Sequence, residues 1–204
     1  MNGEVVVVDD VATAFADLVV REAPRTIALS GGGTARRCYE TLASRSGIDW
    51  SGVTVLFGDE RLVPVDHADS NEGMAREELL DHVAVGAVHS MTDSTADDYD
   101  DLLRRLGGID LIHLGLGPDG HTASLFPASP ALEVVDRLVV DADPGLPPPH
   151  RRRTLTLPGI ALGRHVVVTV EGEAKADAWQ RVQRGDDVPA ARLRAPKLTW
   201  LVSP

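Results

Sequence analysis

Four short segments carry side chains whose types and spacing suit work on an anionic substrate. Ser30, Gly31, Gly32, Gly33 and Thr34 lie between a β-branched run and a helical pattern. Glycines remove Cβ atoms, so backbone N–H groups can close on an anion at the positive end of a helix. The same residues also suit a tight strand-to-helix turn capped by Thr34. No Gly-Lys-Ser/Thr follows, so the segment is not a Walker A loop. Gly115, Gly117 and Gly120 have the spacing of a dinucleotide fingerprint, but Pro118, Asp119, Pro127 and Pro130 leave too little room for the helix such a site needs. No nicotinamide cofactor is expected.

His121 sits in that second glycine-bounded loop. Imidazole titrates near neutrality and can take a proton from water at working pH, and a carboxylate, Asp119 or Asp59, would fix its tautomer. Alone, it also reads as a surface-loop histidine. Arg61, at the end of the Asp59-Glu60-Arg61 run, can grip a carboxylate or phosphate, or pair with its acidic neighbours in a solvated loop. Lys175 is one of only two lysines among 20 basic residues, and its place at a helix start suits a compact ammonium. Residues 150–153 (His-Arg-Arg-Arg) form the densest positive patch of the chain. None of the seven histidines has His-Glu-x-x-His spacing, and Cys38 is the single cysteine, so no metal site and no disulfide framework is expected.

The elements that must position these residues alternate. Strands are expected at residues 5–8, 26–29, 53–57, 110–116, 138–140, 153–157, 165–170 and 198–202. Helical spacing begins at Val11 and at Cys38 and covers residues 70–82, 93–106 and 173–184; residues 144–149 read as a proline-rich connection. Within 93–106, Tyr99, Leu102, Leu103 and Leu106 are expected to face inward, with the acidic block Asp93, Asp97, Asp98, Asp100 and Asp101 solvated. Strand–helix alternation predicts an α/β, Rossmann-like three-layer sandwich, its mostly parallel sheet covered on both faces, with residues 1–204 as one domain. Residues 30–34, 59–61 and 115–121 all follow strands, where open sheets bind ligands.

Composition narrows the classes. The chain has 204 residues, 43% hydrophobic and 25% charged, with a net charge of −11, which speaks against nucleic-acid binding. No apolar run approaches the roughly 20 residues of a membrane span, and Glu4, Asp9 and Asp10 stand where a signal peptide would be basic and apolar. A cytoplasmic monomer is expected.

Taken together, LSGGGT (29–34), FGDERLVP (57–64), DSN (69–71), DLIHLGLGPDGHTASLFP (110–127), RRTLTLP (152–158) and EGEAKA (171–176) resemble the glucosamine-6-phosphate isomerase/6-phosphogluconolactonase family. The resemblance implies the lactonase branch, because deaminases carry a Glu five residues after the matching histidine and this chain has Phe126. Gly33 and Ala35 stand where lactonases often have Ser and Pro. It further implies hydrolysis of 6-phospho-D-glucono-1,5-lactone, the second step of the oxidative pentose phosphate pathway, without a cofactor. His121 would be the general base. Asp59 and Asp119 would orient it and the sugar hydroxyls, and Arg61 with N–H groups of residues 117–120 would face the oxyanion. Ser30 to Thr34, Arg152 and Lys175 would hold the phosphate. The alternatives are a deaminase-like isomerase and a non-catalytic sugar-phosphate sensor; the latter normally carries a DNA-binding helix-turn-helix, for which no room is expected ahead of the first strand.

Overall fold

The computed structural model describes residues 2–144 and 149–203. Of the connection at 144–149, residues 145–148 lie outside the described residues. Among the described residues, ten strands and six α-helices follow in the order β1 (Glu4–Val7), α1 (Val11–Glu22), β2 (Thr26–Leu29), α2 (Gly33–Ala43), β3 (Thr54–Phe57), β4 (Asp59–Arg61), α3 (Asn71–Glu78), β5 (Ala87–Val88), α4 (Ala96–Leu106), β6 (Ile109–Gly115), β7 (Val139–Ala142), β8 (Arg152–Leu155), α5 (Leu157–Ile160), β9 (Gly163–Glu171), α6 (Ala176–Arg184) and β10 (Lys197–Ser203).

Seven strands form one parallel sheet in the order β1-β10-β9-β6-β2-β3-β5. Its central strands are apolar on both faces: Leu111, Ile112 and Leu114 of β6 and Val166, Val167 and Val168 of β9 are fully buried, as a sheet covered by helices requires. Local chemistry sets the helix ends. Asp10 accepts from the Ala12 and Thr13 amides ahead of α1, Ser70 accepts from Gly73 N ahead of α3, and Thr95 with Asp98 closes a capping box on α4.

The α/β reading and its parallel sheet hold, but four local expectations need correction. Residues 59–61 are not a loop: β4 pairs antiparallel with β8, and β8 with β7, in a second three-stranded sheet. The helix predicted over 70–82 stops at Glu78, and Leu80–His82 form a separate 3₁₀ turn. The helix predicted from 93 begins at Ala96, and Leu106 at its end is exposed while Tyr99 and Leu103 are buried. Asp100 is not on a solvated face; it is buried, accepting from Leu138 N at 2.5 Å and Val139 N at 3.2 Å. These contacts join residues distant in sequence, beyond the reach of helical periodicity.

Candidate active site

From β2 the sheet continues through β3 to β5; from the adjacent β6 it continues the other way, through β9 to β10. The carboxyl ends of β2 and β6 therefore flank a topological switch point, where such sheets form their ligand crevice. A cavity of about 210 Å³ opens there. It is lined by Ser30, Gly31 and Gly32 after β2, by Asp59 and Arg61 of β4, by Gly117 and His121 after β6, and by Asn71, Phe126, Arg152 and Lys175. Segments up to 145 residues apart in the chain meet in this one space.

His121 is held by its own loop. Asp119 Oδ1 lies 2.5 Å from His121 Nδ1 and accepts from His121 N at 3.1 Å. Burial alone would raise the Asp119 carboxyl, but the backbone and side-chain bonds from His121 outweigh that and hold it below the usual range. An ionised Asp119 only accepts, so Nδ1 carries the proton and Nε2 keeps the lone pair a base needs. A Cβ on Gly117 would stand 2.0 Å from His121 Nδ1; only glycine lets the ring lie against this backbone. The Phe126 ring covers the imidazole at a centroid distance of 4.6 Å.

Glu60 organises the opposite wall. It is fully buried and accepts from Arg61 N at 2.6 Å, Asn71 N at 2.8 Å, Glu72 N at 2.7 Å and Ser70 Oγ at 3.1 Å. Burial raises its carboxyl above the ordinary value, although the three backbone bonds oppose that. Arg61 Nη1 donates to the Asp69 carbonyl at 2.6 Å. Asp59 does not touch His121. Its Oδ2 accepts from Ser124 Oγ at 2.6 Å and its Oδ1 from Asn71 Nδ2 at 3.4 Å, so it ties the segment after His121 to α3. Asn71 packs on Gly31, where a Cβ would meet its Oδ1 at 1.9 Å.

The positive groups gather here. Burial, and then the neighbouring Arg61 guanidinium, lower the Arg152 pKa, so two like charges share one wall of an otherwise acidic protein. Lys175 is also lowered by burial, with Asp119 opposing. It borders both the cavity and an adjoining depression of about 270 Å³ lined by Gly31 to Ala35. Among the described residues no side chain caps the N-terminus of α2 in that depression and no acid occupies its first turn, an arrangement suited to an anion; Glu171, which also lines the depression, is paired with Arg37. Ser30 departs from the expected cradle: its N–H donates inward to Tyr39 Oη at 2.6 Å.

The structure therefore brings His121, Asp119, Arg61, Asp59, Arg152, Lys175 and the 30–32 turn to one place, with Gly33 and Thr34 beside it. Two roles change. Asp59 does not orient the imidazole, and the amides of Gly117 and Gly120 are spent inside the loop, on His121 O at 2.8 Å and Gly117 O at 3.0 Å, so they cannot face an oxyanion. Sequence reasoning missed Glu60, Asn71 and Ser124 as positioning groups; the DER and DSN blocks were the available signal. Gly115 ends β6, and Gly117 and Gly120 bound a tight turn rather than a helix start.

Comparison with known proteins gives a consistent result. The family described as glucosamine-6-phosphate isomerases/6-phosphogluconolactonase matches residues 5–200. A 6-phosphogluconolactonase of Synechocystis sp. is 38% identical, covering 94% of this chain and 87% of its own length. One from Homo sapiens is 33% identical, with 95% and 87% covered. The crystal structure of 6-phosphogluconolactonase from Thermotoga maritima covers all of both chains with a TM-score of 0.86 at 27% identity. A monomeric glucosamine-6-phosphate deaminase also superposes, with a TM-score of 0.81, but at 17% identity it shares the fold alone.

Proposed function

The chain belongs to the glucosamine-6-phosphate isomerase/6-phosphogluconolactonase family, and from that premise we propose that it hydrolyses 6-phospho-D-glucono-1,5-lactone to 6-phospho-D-gluconate, residues 1–204 working as one domain and as a monomer. The observation that carries the reading is a carboxylate-held imidazole sharing one cavity with three cationic side chains, Arg61, Arg152 and Lys175.

His121 Nε2 draws a proton from water as the oxygen attacks the lactone carbonyl carbon. As the tetrahedral intermediate collapses, the ring C–O bond breaks and the proton passes from Nε2 to the departing ring oxygen. A positioned base of this kind contributes roughly 10²–10⁴-fold. Arg61, fixed through its amide by Glu60 and through Nη1 by Asp69, faces the oxyanion; its buried Nε has no protein partner among the described residues. The phosphate lies on the N-terminus of α2 against Lys175, with Arg152 closing on the same anion. That remote grip sets the carbonyl against the base and turns binding energy into orientation.

Phe126 argues against deamination of an amino sugar. An apolar ring packed on His121 stands where the resemblance places a deaminase's glutamate.

A pH-monitored lactone assay, corrected for spontaneous opening, tests the activity. Catalysed acid release without ammonia from glucosamine 6-phosphate is expected; ammonia release, or tight binding without turnover, would overturn the proposal. Lys175→Ala tests the phosphate grip. It should raise KM for the phosphorylated lactone and leave the unphosphorylated lactone little changed, whereas equal effects on both would remove Lys175 from that role.

A further inference from the structure

Beside Arg61, and outside the residues assigned to lactone chemistry, two imidazoles converge on one carboxylate. His67 lies between β4 and α3, Asp69 two residues later, and His150 just ahead of β8. His150 Nε2 is 3.0 Å and His67 Nδ1 3.8 Å from the same oxygen, Asp69 Oδ2. One donor atom from each residue lies within 4.8 Å of the others, and this is the only such trio of His, Cys, Asp or Glu among the described residues. The two rings cross at 80° with centroids 5.2 Å apart.

The hydrogen bonding gives this cluster a direction. Asp69 N donates to His67 Nδ1 at 3.1 Å, so that nitrogen is unprotonated, and an ion would take its lone pair over from the amide, as it would replace the hydrogen bond between His150 Nε2 and Asp69 Oδ2. His67 Nδ1 therefore faces the Asp69 carboxylate as one acceptor faces another. An ion bound tetrahedrally at roughly 2.0–2.1 Å holds its ligands about 3.3 Å apart, and the observed 3.0 and 3.8 Å bracket that separation. Two imidazoles with one carboxylate suit borderline transition metals, whereas Ca²⁺ and Mg²⁺ prefer all-oxygen shells. A net charge of −11 favours cations at the surface.

We propose that His67, Asp69 and His150 bind one divalent ion of the Zn²⁺ class. No His-Glu-x-x-His search could find this site, because its third ligand comes from a segment 81 residues beyond Asp69. Its location gives the ion a structural consequence. The Asp69 carbonyl holds Arg61 Nη1 at 2.6 Å, and His150 precedes Arg152 by two residues. The ion thus ties together the two segments that carry the guanidinium pair.

Equilibrium dialysis and calorimetry with Zn²⁺ alone test the proposal. Wild-type protein should bind one equivalent, His67→Ala and His150→Gln should each weaken binding about tenfold or more, and His121→Ala should bind as wild type does. Co²⁺-loaded wild type should show visible d–d bands that both rim variants lose. Circular dichroism establishes that each variant is folded, and both rim imidazoles are more than a quarter exposed, which favours folded variants. Absence of binding with Zn²⁺ in excess, unchanged affinity in both rim variants, or loss of binding in His121→Ala would overturn it.

Discussion

One hydrogen bond decides which nitrogen of His121 can act. With Nδ1 donating to an ionised Asp119, which is held below the usual carboxylate range, the lone pair sits on Nε2. His121→Ala should therefore lower kcat by roughly 10²–10⁴-fold while thermal unfolding stays close to wild type. Asp119→Asn is the sharper test. An amide N–H presented to Nδ1 makes that nitrogen the acceptor, moves the proton to Nε2 and silences the base with the ring still in place. It should cost kcat far more than KM, and it should move the acid limb of the rate profile. Equal kcat and an unmoved limb would mean that Asp119 only shapes the loop. This pair was readable in the sequence because both residues lie in one loop, two positions apart. Asp59 also reads from the sequence as a partner of the imidazole, but the structure places it elsewhere. Proximity to His121 cannot be read across 62 positions, and Asp59 in fact binds Ser124 and Asn71.

At the scale of elements, the parallel sheet was legible because β-branched runs alternate with amphipathic ones. The small antiparallel sheet was not. β4 is three residues long and two of them are acids, so nothing in its composition marks a strand. Its pairing partner β8 lies about 90 residues away and gives it its structure. Glu60 was illegible for the same reason: it reads as a solvated acid until the N-terminus of α3 folds over it. Four donors converge on that carboxylate, among them the amide of Arg61. Glu60→Ala should leave them unsatisfied in a dry site, costing on the order of 3 kcal/mol in urea unfolding. It should also lower kcat/KM, through a displaced Arg61. A loss of stability with full activity would show that β4 holds its geometry without this acid.

Across the whole molecule, the floor of the site is a buried relay that joins helices to sheet. Ser30 N donates to Tyr39 Oη, so the phenolic proton goes to His113 Nδ1 at 2.9 Å. His113 Nε2 then donates to Thr169 Oγ1 at 3.0 Å, and Thr169 to the Leu114 carbonyl at 3.4 Å. Phe15 of α1 stacks on the imidazole at 4.1 Å. The chain of donors closes only with a neutral ring, and burial holds His113 down to about 3. In the unfolded chain the same residue titrates near pH 6.5, so between those values the unfolded state takes up a proton that the native state refuses. Each such group removes about 1.4 kcal/mol of stability per unit fall in pH across that window. His165, lowered by burial with Glu22 opposing, loses stability in the same direction, and Asp100 and Asp119, held below the ordinary carboxylate range, add their losses only as pH falls below about 4, so the difference between wild type and a His113 variant from about pH 6 to pH 4 is the place to look. His113→Gln can keep hydrogen bonds to Tyr39 and Thr169 but cannot titrate. It should start less stable than wild type at neutral pH and close the gap as the solution is acidified. Unfolding free energies that fall in parallel for the two proteins would show that His113 takes up its proton in the native state and that the relay has a second arrangement.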